Sequence, residues 1–161
     1  MWGRLTAKEQ RARHVLLSLI LTESRDPGVR ALASRLEVPE SEAAKLLSGL
    51  ERKGFLVRDQ RSNKIKAAYP LSTRPTHHRV ALKGGGQQGY ALCAIDALGL
   101  GPLFGAAVIA NANCPHCGRS IRLWVQENQI VAVRPAGVVV WYSLPELLTK
   151  SEPNLNLAEA H

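Results

Sequence analysis

Apolar residues return at helical spacing through the first half of the chain. Val15, Leu16, Leu19, Ile20 and Leu21 stand in an otherwise polar segment and predict a first helix with one buried face. After the breaker Asp26-Pro27-Gly28, the stretch GVRALASRLEV brings Val29, Leu32 and Leu36 back at that spacing. PESEAAKLLSGLERKG does the same with Ala43, Leu46, Leu47 and Leu50. Pro39 suits the first turn of this third helix, Glu40 and Glu42 complement the positive end of its dipole, and Gly54 after Arg52 and Lys53 is a stop signal. FLVRDQ and KIKAAYPL then flank Arg61-Ser62-Asn63, a predicted two-stranded hairpin. Three helices followed by a hairpin form the pattern of a winged helix-turn-helix.

The pattern changes at Lys83-Gly84-Gly85-Gly86-Gln87-Gln88-Gly89, whose composition suits a linker. We therefore expect two domains, 1–83 and 84–161. In the second, GYALCAIDALGLGPLFG predicts one short helical segment, and AAVIANA, SIRLWVQ, QIVAVR and GVVVWYSL predict four strands. Turns are signalled at Cys114-Pro115-His116-Cys117-Gly118-Arg119, at Glu127-Asn128-Gln129 and at Pro135-Ala136-Gly137, so the sheet should be mainly antiparallel. The expected fold class is α+β: an N-terminal three-helix winged-helix-like domain, then a small antiparallel sheet domain. STRPTHHR is expected to be a polar connector with His77 and His78 solvated.

Charge adds a partner to this picture. Residues 1–85 carry 17 Lys and Arg against 8 Asp and Glu, and residues 86–161 carry 4 against 5, so all the net positive charge lies in front. Arg35, Lys45, Arg52 and Lys53 near the third helix, with Arg58, Arg61, Lys64 and Lys66 on the wing, could neutralise phosphates. Glu40 and Glu42 stand where base edges or phosphates would lie, so nucleic-acid binding is expected to be weak and without sequence preference. No apolar run reaches the roughly 18 residues of a membrane span, and the start lacks a signal peptide's pattern. A soluble, cytoplasmic protein with reduced thiols is expected, and an odd count of three cysteines argues against a disulfide framework.

Those three cysteines all fall in ALCAIDALGLGPLFGAAVIANANCPHCG. If a helix begins at residues 90–98, Cys93 and Asp96 project from one face, where thiol and carboxylate can exchange a proton or hold a cation. Asp96 lies among Ala94, Ile95, Ala97 and Leu98. Burying it there is costly, so it either caps backbone groups or has a functional proton or metal. Cys114 and Cys117 frame CPHCG, the common half-site of a zinc knuckle, with His116 exposed in the turn. Together the spacing is Cys-x2-Asp-x17-Cys-x2-Cys, which makes Cys93, Asp96, Cys114 and Cys117 four candidate metal ligands.

Tyr90-Ala-Leu-Cys93-Ala-Ile-Asp96-Ala-Leu, Asn113-Cys114 at a strand end, Val131-Ala-Val-Arg-Pro135-Ala136-Gly137 and Leu144-Pro145 resemble the core of the organomercurial (alkylmercury) lyase family. EVPESEAAKLLSGLERKGFLVRD and NKIKAAYPLS resemble the second half of that family's N-terminal three-helix module, so the likeness spans about residues 12–145. The resemblance implies protonolysis of a carbon–mercury bond without a cofactor, by two cysteines and an aspartate, with Hg(II) as product. Cys93 matches the first cysteine, Asp96 the aspartate, and Cys114 a cysteine that in the family looks structural. The family's second catalytic cysteine lies beyond the Leu-Pro, where this chain has ELLTKSEPNLNLAEAH and no cysteine. Cys117, absent from the family's usual pattern, is the candidate substitute. Two other classes stay open: a metal-responsive winged-helix DNA-binding regulator, and a non-catalytic member of the fold with a structural zinc.

Overall fold

The computed structural model describes residues 4–140. Helix α1 (Ala7–Glu23) starts at a capping box: the Thr6 hydroxyl accepts from the Glu9 N–H and the Glu9 carboxylate accepts from the Thr6 N–H. Its apolar stripe, Ala12, Leu16, Leu17, Ile20 and Leu21, is fully buried. Helices α2 (Gly28–Leu36) and α3 (Glu40–Arg52) pack against it through Leu32, Leu36, Ala43, Leu47 and Leu50. Gly54, at φ +81, lets the chain leave α3 into β1 (Leu56–Arg58), which pairs with β2 (Ile65–Ala68) as the expected hairpin. The front of the chain is thus three helices and a wing.

The wing continues into one sheet. After β3 (Leu71–Ser72), β4 (His78–Leu82), β5 (Gln88–Ala91), helix α4 (Ala94–Phe104), β6 (Val108–Asn113), β7 (Ser120–Gln126) and β8 (Gln129–Arg134), the strand order is β1-β2-β3-β5-β4-β6-β7-β8, antiparallel throughout. Buried residues from Ala12 to Val125 form one core cluster, with Leu71, Val80, Ala91, Leu100 and Val108 joining the helices to the sheet.

The stretch expected to link the two domains at 83–84 lies within this sheet. The glycine-rich stretch is the turn of the β4–β5 hairpin, closed by Leu82 N–H to Gln87 O at 2.9 Å, and Gly84 and Gly86 take φ +95 and +64 there. Gly89 serves packing instead: an added Cβ would lie 3.1 Å from Leu21 Cδ2, so its bareness lets α1 lie on β5. The polar connector expected around His77 and His78 is also corrected, because His78 begins β4 and is half-buried. Of the four expected back-half strands, three form. Val138–Val140 of the fourth are not strand, and its remaining residues, 141–144, lie outside those described. Among the described residues no helix is long and apolar enough to cross a membrane.

Candidate active site

The pairing of Leu71 with Ala91 fixes where β5 ends, and Leu92 donates to Pro70 O at 3.1 Å as the chain leaves the sheet. Cys93 follows with extended backbone (φ −146, ψ 178) and is the N-cap of α4. It therefore lies just outside the helix, and its pairing with Asp96 is that of a cap with the third helical residue. The Cys93 sulfur accepts from the Asp96 N–H at 3.4 Å, and the Cys93 thiol donates to Asp96 Oδ2 at 3.1 Å. This is an N-cap in which sulfur replaces the usual hydroxyl, so folding the helix start assembles the pair.

Electrostatics set the protonation of the pair. A helix N-terminus favours a thiolate. Burial acts the other way and prevails: it is the main cause that pushes the Cys93 thiol from 9.0 up to about 11, with the hydrogen bond to Asp96 and its negative charge adding to it. Burial likewise pushes the Asp96 carboxyl up, against the hydrogen bonds from Cys93 that favour its ionised form. At neutral pH the thiol thus keeps its proton beside a carboxyl group that can take it.

Asp96 opens onto a cleft of about 290 Å³, whose other walls include Arg13, Tyr69, Pro70, Ile95 and Leu103. The walls are largely apolar and suit a small organic group. Arg13 comes from α1, donates to Tyr69 O at 2.8 Å and lies 5.2 Å from the Phe55 ring centre. Burial lowers its pKa from the ordinary value. Sequence reasoning missed both Arg13 and Tyr69. Arg13 adjoins the buried Ala12 on α1, and no motif marks it. A wider cleft bordered by Lys83, Val108, Trp124, Val131 and Arg134 holds no thiol or carboxylate.

Cys114 and Cys117 lie elsewhere, in the β6–β7 turn, the first half-buried and the second exposed. Arg79 pairs with both Tyr90 and Asn111, so Cys93 and Cys114, each three residues further on, leave the sheet at the same end. Strand β4 stands between them, which separates their strands by about 10 Å. Among the described residues no three His, Cys, Asp or Glu side chains are gathered to hold a metal. The expected four-ligand site of Cys93, Asp96, Cys114 and Cys117 is therefore not assembled, and Cys117 does not complete the Cys93–Asp96 pair. The reason is topological: the sequence spacing suited one site, but the interposed strand splits it into two pairs.

The fold and site define a class: a helix-turn-helix module built onto a sheet that carries a thiol–carboxylate pair at a helix cap. Residues 71–152, half of the chain, match the alkylmercury lyase family, and residues 15–60 match the IclR helix-turn-helix domain. The chain belongs to the alkylmercury lyase family. An alkylmercury lyase of Staphylococcus epidermidis is 37% identical over 78 residues, 48% of this chain and 35% of the relative. One from Bacillus cereus is 37% identical over 76 residues, 47% of this chain and 34% of the relative. The chain thus spans about a third of the length of these curated relatives. The solved mercury-bound form of MerB2 matches with a TM-score of 0.61 and 21% identity, covering 83% of this chain and 63% of that one, a likeness of fold.

Proposed function

We propose that the protein cleaves the carbon–mercury bond of organomercurials, with Cys93 as the mercury ligand and Asp96 as the proton carrier. The observation that carries this is the 3.1 Å hydrogen bond from the Cys93 thiol to Asp96 beside an apolar cleft. An organomercurial bound to a small thiol would seat its organic group in the cleft. The Cys93 sulfur bonds to mercury as its proton passes to Asp96, and donation by sulfur weakens the carbon–mercury bond. Asp96 then gives the proton to carbon. The hydrocarbon leaves, and mercury stays between Cys93 and the small thiol. One sulfur–hydrogen and one carbon–mercury bond break, one sulfur–mercury and one carbon–hydrogen bond form, and no oxidant is needed. In this scheme the small thiol supplies the second sulfur. The test is incubation with an organomercurial and excess small thiol: hydrocarbon release is expected, and Cys93→Ala should abolish it. Full release by Cys93→Ala would refute the assignment.

A second reading, a metal-responsive DNA-binding regulator, is favoured by the helix-turn-helix match and by Arg13, through which α1 lines the cleft at Asp96. In it, a ligand at Cys93 and Asp96 would alter how the helical module meets DNA.

A further inference from the structure

We propose that Cys114 and Cys117 form a second soft-cation site, a two-thiolate chelate that takes Hg(II) or a cation of the same soft, closed-shell kind. Two observations carry it. First, the turn is built: Cys114 N–H donates to Arg119 O at 2.9 Å, Gly118 N–H donates to Cys114 O at 2.9 Å, and Gly118 takes φ +69 to close the loop. It is anchored on paired strands, Asn113 opposite Ser120, so the sulfurs are held by the sheet. Second, both thiols are free and at least partly open to solvent in that one turn, three residues apart inside the loop that the Gly118 to Cys114 hydrogen bond closes.

Thiols in the reduced state, partly exposed and preset in a turn, are what a soft cation selects. Two-coordinate mercury is satisfied by two thiolates, whereas zinc asks for four ligands and would find half a site. Binding forms two mercury–sulfur bonds and releases the thiol protons to solvent. The proposal needs only the bare cation and stands apart from carbon–mercury cleavage, so hydrocarbon release neither supports nor removes it.

The experiment uses the full chain, reduced and freed of small thiol, and titrates it with mercuric chloride while following the ultraviolet thiolate-to-mercury band. Cys93→Ser isolates the turn. That variant should still bind Hg(II) and hold it against a competing monothiol. Adding Cys114→Ser or Cys117→Ser should weaken retention roughly a hundredfold, the loss of chelation. An unchanged thermal melt of each variant confirms the fold. Failure of Cys93→Ser to bind Hg(II), or unchanged retention in the further variants, would overturn the proposal.

Discussion

Replacing Asp96 by Asn tests the proton carrier while sparing the cap. The backbone N–H of residue 96 still donates to the Cys93 sulfur in the variant, so α4 should start where it does now. Two effects follow from the geometry. Proton transfer by a positioned carboxyl contributes about 10²–10⁴ in rate, which corresponds to about 3–5 kcal/mol of barrier. Hydrocarbon release in a single turnover should fall by that factor while mercury still binds through sulfur. The second effect is on Cys93, whose pKa rises from 9.0 to about 11 chiefly by burial, then through the hydrogen bond to Asp96 and its charge. Asn removes the charge and leaves the burial. The thiol pKa should therefore fall part of the way back and stay above 9.0.

The assay is alkylation of Cys93 against pH, followed peptide by peptide by mass spectrometry, beside the hydrocarbon measurement. In the native chain Cys93 reactivity should keep rising to about pH 11; in Asp96→Asn the rise should come earlier. Undiminished hydrocarbon release would remove Asp96 from the chemistry. An unchanged or later rise in reactivity would show that the carboxyl does not act on the thiol. Equal loss of mercury binding and rate would make Asp96 a ligand instead of a proton carrier.

Other outcomes follow from the same structure. Glu9 is held near pKa 2, below its ordinary 4.5, first by the Lys53 ammonium and then by the Thr6 N–H. Its contribution to stability is present above pH 4.5 and lost as pH falls toward 2, so the melting temperature should drop across that window. Glu9→Gln should flatten the drop, and a slope as steep as in the native chain would refute the link. Leu100, fully buried on the inner face of α4, should cost about 2–5 kcal/mol on change to Ala, read by urea unfolding; a loss below about 1 kcal/mol would mean α4 is not seated as described. In an anisotropy titration at ~150 mM salt, duplex DNA should bind weakly and without sequence preference. Glu40 and Glu42 are paired with Arg30 and Lys8, which softens their repulsion of phosphate but uses those cations. Nanomolar, sequence-selective binding that responds to mercury would put the regulator first.

The front helices and wing were legible because each carries apolar residues at its own spacing and Pro or Gly punctuates the stretches between them. Asp26-Pro27-Gly28 and Lys53-Gly54 are such punctuation, and α2 and α3 begin and end beside them. Strand β4 was not legible: HRVAL is short, and only Val80 and Leu82 of it are buried. Its neighbour KGGGQQ has the composition of a linker and of a tight turn alike, and only pairing across it distinguishes the two. At the site, the three-residue spacing of Cys93 and Asp96 was visible, but the cap geometry was not, since a cysteine is not a usual N-cap. Arg13 and Tyr69 reach the cleft through contacts far apart in sequence, which no local pattern records.

That long-range contact bears on how the two halves of the chain relate. A module that docks as a separate domain keeps its own core, and its neighbour keeps another. Here Leu16, Leu17, Ile20 and Leu21 of α1 belong to the same buried cluster as Leu71, Val80 and Ala91 of the sheet, and Gly89 is bare where Leu21 crosses it. The wing strand β2 pairs onward to β3, and β3 to β5, so no edge separates wing from sheet. Arg13 then stands in the wall of the Asp96 cleft because α1 has to lie on β5 to bury its stripe. The helix-turn-helix is thus part of the structure that holds the thiol–carboxylate pair. Any ligand that fills the cleft touches the first helix of the DNA-binding pattern, whichever of the two functions that pattern serves.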